Sequence, residues 1–237
     1  MRRRRSERSC DFQTLGAANT VDRSQADSGE NKTMRDRLQI LAVAVVLSVM
    51  APAWAGPYEA VFGYVQQMLA QSAKNDTAGM SATLRQLESV PRPARQNVKE
   101  ARALNKQGLD ALRRNDFSSA LDAFQQAQQA DPADVEVSGN LGYVQLKLGQ
   151  FKRAEHQLVY TLSLAPERAS TWFNLGQVYG AMGEVDKAIG AFANSYRYSQ
   201  DAPKTRELMM QAALAPENDE VTRTALRRTL QLLGLPQ

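Results

Sequence analysis

From Val98 onward, apolar residues recur at helical spacing and the pattern repeats itself. Gly108, Gly142 and Gly176 are separated by 34 residues each. Ala120, Ala154 and Ala188 keep that step, as do Phe124, Leu158 and Phe192. Pro132 and Pro166 close the first two units; the third has Gln200 there and its proline at Pro203. Asn115, Gly149 and Gly183 also coincide, and these residue types tolerate the left-handed backbone that ends a helix. Each unit therefore reads as helix, tight turn, helix, turn. A small residue at the eighth and twentieth positions lets two antiparallel helices approach, and a large one at the twenty-fourth fills the space beside them. One such hairpin cannot cover its own apolar faces, so the units must stack.

The flanks are helical with weaker phase. Val61, Phe62, Val65, Met68 and Leu69 make a stripe from Tyr58 to about Asn75, and Met80, Leu84 and Leu87 another over 77–89, before Pro91 and Pro93 break the chain. Residues 57–95 are thus expected to form an N-terminal helical hairpin. Residues 203–214 and 217–233 read as two more helices, the second capped by Asn218 or Asp219, closing the array over 203–237. Between these flanks, 96–202 hold the three repeats.

The segment from Met34 has a different character. Arg35 and Arg37 precede an apolar run from Leu38 to Met50, then Pro52 and Ala53-Trp54-Ala55. That order describes a secretory leader over 34–55, cut between Ala55 and Gly56, and places the product in the periplasm or outside the cell. The alternative is an uncleaved helix anchored in the inner membrane, because Leu38 to Ala55 is eighteen residues. Residues 1–33, with Arg2 to Arg5 and a polar stretch, read as a disordered extension or as sequence upstream of a true start at Met34. A cytosolic protein using this basic arm is the remaining alternative.

Charge and composition narrow the chemistry. The net charge of +4 divides into +3 for residues 1–55 and +1 for the rest, so the body carries no footprint of a nucleic-acid surface. One cysteine, Cys10, and one histidine, His156, exclude a disulfide framework and a Cys/His metal site. No glycine-rich phosphate loop and no paired acid and base stand out, so neither enzyme, cofactor nor metal is expected. Arg197 between Tyr196 and Tyr198 could stack on a base or sugar; the plainer reading packs Tyr196 into the next unit.

The repeat resembles the tetratricopeptide repeat (TPR) family. Trp172, Leu175, Gly176, Tyr179, Ala188 and Phe192 follow that family's order in the third unit. The second keeps Leu141, Gly142, Ala154, Leu158 and Pro166 but has Ser138 and Gln145 where aromatics are usual, and the first has Gln107 for leucine. The resemblance implies an all-α, right-handed α-solenoid whose first helices line a concave groove that holds a protein or peptide partner. Carried onto this chain, the groove residues are Arg102, Asn105 and Leu109, then Glu136, Asn140 and Tyr143, then Ser170, Phe173, Asn174 and Gln177. The carboxylate clamp of chaperone-adaptor members is not matched: of Asn105, Leu109, Asn140, Ser170 and Asn174, only Asn140 fits. The exported chain is expected to be an envelope scaffold for a partner segment. Ser138 and Gln145 also suggest that the second unit is the softest of the three.

Replacing Ala53 and Ala55 by leucine should block cleavage and leave a longer, membrane-associated product, read by intact mass after fractionation. A native chain starting at Met1 and free in the cytosol would refute the leader.

Overall fold

The computed structural model describes residues 55–235, so the extension 1–33 and all of the leader up to Trp54 lie outside the described residues. Ten helices follow one another: α1 (Ala55–Ala73), α2 (Thr77–Glu88), α3 (Val98–Arg113), α4 (Phe117–Ala130), α5 (Val135–Lys147), α6 (Phe151–Leu164), α7 (Ala169–Ala181), α8 (Val185–Arg197), α9 (Ala202–Leu214) and α10 (Glu220–Leu232). No strand occurs among the described residues. Aspartates start five of the helices. Asp76, Asp116, Asp134, Asp201 and Asp219 each accept a backbone N–H from the first turn, satisfying donors that the helix itself leaves unpaired.

Helices α3–α4, α5–α6 and α7–α8 are the three repeat hairpins, stacked in chain order. Asn115, Gly149 and Gly183 do adopt positive φ, at 57°, 70° and 80°, and turn each first helix into its second. The eighth-position glycine is a contact, not a hinge. A Cβ on Gly176 would lie 2.6 Å from Phe192 Cδ1, so only glycine lets α7 and α8 close over that ring. Trp172 and Phe192 are wholly buried, and the indole Nε1 donates to the Pro166 carbonyl at 2.7 Å. The loop proline thus also supplies the hydrogen-bond acceptor that a buried tryptophan requires.

The flanking hairpins go where their stripes could not specify. Helix α1 does not stack ahead of the first unit. It lies across α8 and α6, the second helices of the third and second units. Val61, Val65, Met68 and Leu69 are buried there in the same core as Val159, Leu162, Ile189 and Phe192. Its backbone touches that of α8: a Cβ on Gly190 would lie 2.8 Å from the Leu69 carbonyl carbon. Arg197 closes the end of α1, its guanidinium donating to the Ser72 carbonyl and hydroxyl and to Asn75 Oδ1 at 2.6 Å. That engagement removes Arg197 from any role as a free stacking cation. Residues 91–97, all exposed, then return the chain to α3. The N-terminal hairpin proper therefore ends at Glu88, before the expected limit at residue 95.

At the other end α10, capped by Asp219 as expected, stacks on both α7 and α8, with α9 on its outside. The first unit has the smaller share of the core: its Ala111, Ala120 and Phe124 form a separate cluster with Leu141 and Val144 of α5. Ser138 and Gln145 of the second unit are buried, and Ser138 Oγ accepts from Gln128 at 3.3 Å. That unit is covered by neighbours on both sides and by α1 behind, whereas among the described residues the first unit stacks on one side alone. Placement thus favours the first unit, not the second, as the softest.

Gly190→Ala should lower unfolding stability by about 1–3 kcal/mol, because backbone on both sides must shift. Gly63→Ala, on the exposed face of α1 with nothing within 4 Å of the new Cβ, should raise it by about 0.5–1 kcal/mol. Urea midpoints of the two variants measure both; equal midpoints would mean that α1 is not seated on α8.

Candidate functional site

Helices α3, α5 and α7 lie side by side, and their common face carries the groove residues anticipated from the repeat. Two sets of side chains emerge. The first is self-satisfied. Asn140 Nδ2 donates to Asn105 Oδ1 at 3.0 Å, and Asn105 Nδ2 donates to Glu136 Oε1 at 3.2 Å. Arg102 donates to Glu136 Oε2 at 2.5 Å and reaches Asp134 at 3.1 Å. Asn105 is 4% exposed with both ends of its amide engaged. Asn105 therefore joins α3 to α5 and is not a free donor for a ligand backbone, a correction to its expected role.

The chain behind this set is held by the same charges. Arg95 Nε donates to Asp131 at 2.6 Å and Arg95 Nη2 to Asp134 at 3.1 Å. Both aspartates are fully buried, and two arginines supply the counter-charge that buried carboxylates need. The sequence carried one usable signal for this, the two aspartates of the Asp131–Asp134 loop. It held no sign that Arg95, in a proline-broken linker, was their partner.

The second set is half-buried and open. Tyr143 and Leu109 rest on the first unit's core, and Lys147 Nζ stands 5.6 Å from the Tyr143 ring centroid. Phe173 tilts against Phe192 at 5.3 Å on the main core. The side chains of Asn174 and Gln177, also half-buried, form no hydrogen bond among the described residues, and Ser170 is exposed. Tyr143 and Phe173 belong to two different core clusters. They flank the junction of the second and third units without forming a single stacked pair. The face thus offers two flat apolar contacts and two amides whose donors and acceptors are unspent.

His156 takes no part in this face. Its imidazole stacks on Tyr58 of α1 at 4.0 Å between centroids. Burial there holds the imidazole below the ordinary histidine range, with Glu155 pulling weakly the other way. The same docking pushes the Tyr58 phenol up to about 12. Behind it, Gln66 Nε2 donates to the Tyr179 hydroxyl at 2.6 Å. Among the described residues no group of three or more His, Cys, Asp or Glu side chains converges, and no helix is long and apolar enough to cross a membrane.

A stack of helix–turn–helix units with an open first-helix face defines a repeat solenoid. Residues 111–159 and 140–204 each match a family described as tetratricopeptide repeat, so the repeat units over these residues are tetratricopeptide repeats. The chain is 30% identical over 91 residues to the BBSome complex member BBS4 of Bos taurus, a match spanning 38% of this chain and 17% of that protein. Among solved structures it is similar to MamA, at 21% identity and a TM-score of 0.45 over 69% of this chain and 91% of that one. It is also similar to the first TPR of Spaghetti (RPAP3) bound to an HSP90 peptide, at 15% identity and a TM-score of 0.45 over 60% and 99%.

A histidine held below its unfolded value favours folding fully above about pH 6.5. That contribution is lost as pH falls through the lowered value. Between pH 7.5 and 5.5 the wild-type urea midpoint should therefore fall more steeply than that of His156→Phe, which keeps the ring on Tyr58 and cannot titrate. Parallel slopes would mean that the stack does not form.

Proposed function

We propose that the chain is a non-catalytic scaffold of the cell envelope that holds an extended segment of a partner protein along the α3, α5 and α7 face. The observation that carries this reading is the contrast within the face. Asn105 is locked into the inter-helix set, while Tyr143, Phe173, Asn174 and Gln177 keep exposed surface and unspent polar groups around one junction. Helix α1 reinforces it by lying on the second helices and leaving the first-helix face uncovered. Amides that pair with any peptide backbone, beside aromatic rings that cost little entropy to immobilise, suit an extended ligand.

Export rests on the leader from Met34. A cut between Ala55 and Gly56 keeps the buried stripe of α1 intact, since its first packed residues are Tyr58 and Val61. The reading with an uncleaved helix gives an adaptor at the inner membrane with the same groove. Both are proposals about location and share one binding face.

Tyr143→Ala combined with Phe173→Ala should weaken partner binding at least tenfold, or about 1.4 kcal/mol or more. Partner is to be recovered by pull-down from the native cell and titrated by calorimetry, with far-UV helicity unchanged. Equal affinity in the double variant would move the site off this face.

A further inference from the structure

Close packing dictates most of the helical glycines. A Cβ on Gly108, Gly142, Gly176, Gly180 or Gly190 would collide with a neighbouring side chain or backbone. Gly139 of α5 is different. It is buried, yet a Cβ there would sit in ordinary contact, 3.7 Å from Arg168 Nε, 3.8 Å from Thr161 Cγ2 and 4.0 Å from Thr171 Oγ1. Glycine weakens a helix interior, and packing within the chain does not call for it at this position. What it leaves is a methyl-sized space at the junction of the second and third units. Gly139 lies one helical turn from Glu136 on one side and from Tyr143 on the other, so the space belongs to the first-helix face.

The polar groups at that space have no partner. Arg168 Nε and Thr171 Oγ1 are both buried and form no hydrogen bond among the described residues, and Thr171 as a whole is 1% exposed. Arg168 is half-buried, so part of it reaches solvent. It stands 34 residues after Asp134, at the same place in the repeat. At the first junction Asp134 is paired by Arg95 and Arg102, so the chain supplies both charges. At the second junction the base is present and, among the described residues, no acid pairs with it. Glu88 and Glu167 border, with Arg92, a hollow of about 370 Å³ that Arg168 also lines, but both are exposed and neither forms an ion pair with it.

An arginine N–H can only donate, and a carboxylate is the acceptor that fits a guanidinium best. We infer that the partner segment is acidic, and that Arg168 takes the carboxylate of one of its side chains in a seat lined by Gly139 and Thr171. The inference rests on the first-helix face being the binding surface and says what the bound segment must carry. Free charges on the same face agree with it. Lys106 of α3 and Lys147 of α5 are exposed and in no ion pair, α7 carries no charged side chain, and Glu136 is already held by Arg102. The seat is distinct from the carboxylate clamp sought at Asn105, Leu109, Asn140, Ser170 and Asn174, since it uses none of those positions.

The test starts by selecting phage-displayed linear peptides of random sequence on the whole chain as the cell produces it. Selected peptides should be enriched in Asp and Glu over the library. Each is then titrated by fluorescence anisotropy beside a copy whose Asp and Glu are changed to Asn and Gln. The acidic peptide should bind at least tenfold more tightly than its copy, and salt should narrow the gap. Arg168→Gln should remove that advantage and leave the copy's affinity unchanged. This variant breaks no bond within the described residues, so its urea midpoint should match the wild type. Should it unfold, Gly139→Ala carries the test: its methyl fills the seat, so the midpoint should hold or rise while the acidic peptide binds more weakly. Free-acid and amide chain ends should bind equally; dependence on a free end would overturn the side-chain assignment. Selected peptides without acidic enrichment would overturn the inference. So would acidic peptides that bind Arg168→Gln as tightly as the wild type; if those still lose affinity with Tyr143→Ala and Phe173→Ala, the groove reading survives. Peptides indifferent to all of these variants would sink both.

Discussion

A pair of helices thirty-four residues long in its repeat has more apolar surface than it can hide within itself, and every other feature of this chain follows from that shortage. Within a unit, the eighth-position glycine brings the two helices together over one large ring or leucine. Between units, the next first helix covers what remains. The arrangement works for the second unit, which has neighbours on both sides. The third unit needs both α10, stacked in the position of a following repeat, and α1, laid across its second helix. The first unit has one neighbour, and its core is correspondingly small and rich in alanine.

That same stacking fixes the polar face. Arg102, Asn105, Glu136 and Asn140 meet because α3 and α5 are held at repeat distance, and they spend their hydrogen bonds on one another. A buried amide left unpaired would be costly, so the bonds to Asn105 stabilise the junction of the first two units at the expense of ligand contacts. The junction of the second and third units is held by the large core beneath it and does not need such a set. Its surface residues remain available, which is why the proposed binding face is placed there.

What could be read from the sequence was whatever repeats. Phase located the hairpins, the left-handed turns at Asn115, Gly149 and Gly183, and the tight contacts below Phe124, Leu158 and Phe192. Asp219 was legible as a cap because its chemistry is local. The seat of α1 was not. Val61, Val65, Met68 and Leu69 announce that one face is buried, but an apolar stripe carries no label for its partner. Gly190, which admits the α1 backbone, sits off the repeating positions and looks like any helical glycine. Arg95 was hidden for a similar reason, since its partners lie 36 and 39 residues away. Asn105 was legible as a groove residue yet misread as free, because spacing reports which way a side chain points and not whether a neighbour has claimed it. Gln107 in place of leucine makes sense once no described helix stacks on the outer side of the first unit: it is exposed, where an apolar side chain would have been stranded.

The shortage of cover also separates the surfaces that remain. Helix α1 consumes the second-helix face of the last two units, so that face is structural. The first-helix face carries Tyr143, Phe173, Asn174 and Gln177, and among the described residues α1 does not cover it. Under the proposed function, two half-buried aromatic rings and two amides at one junction would supply modest affinity for one extended segment, because little entropy is lost in holding rings and amides that the stack already positions.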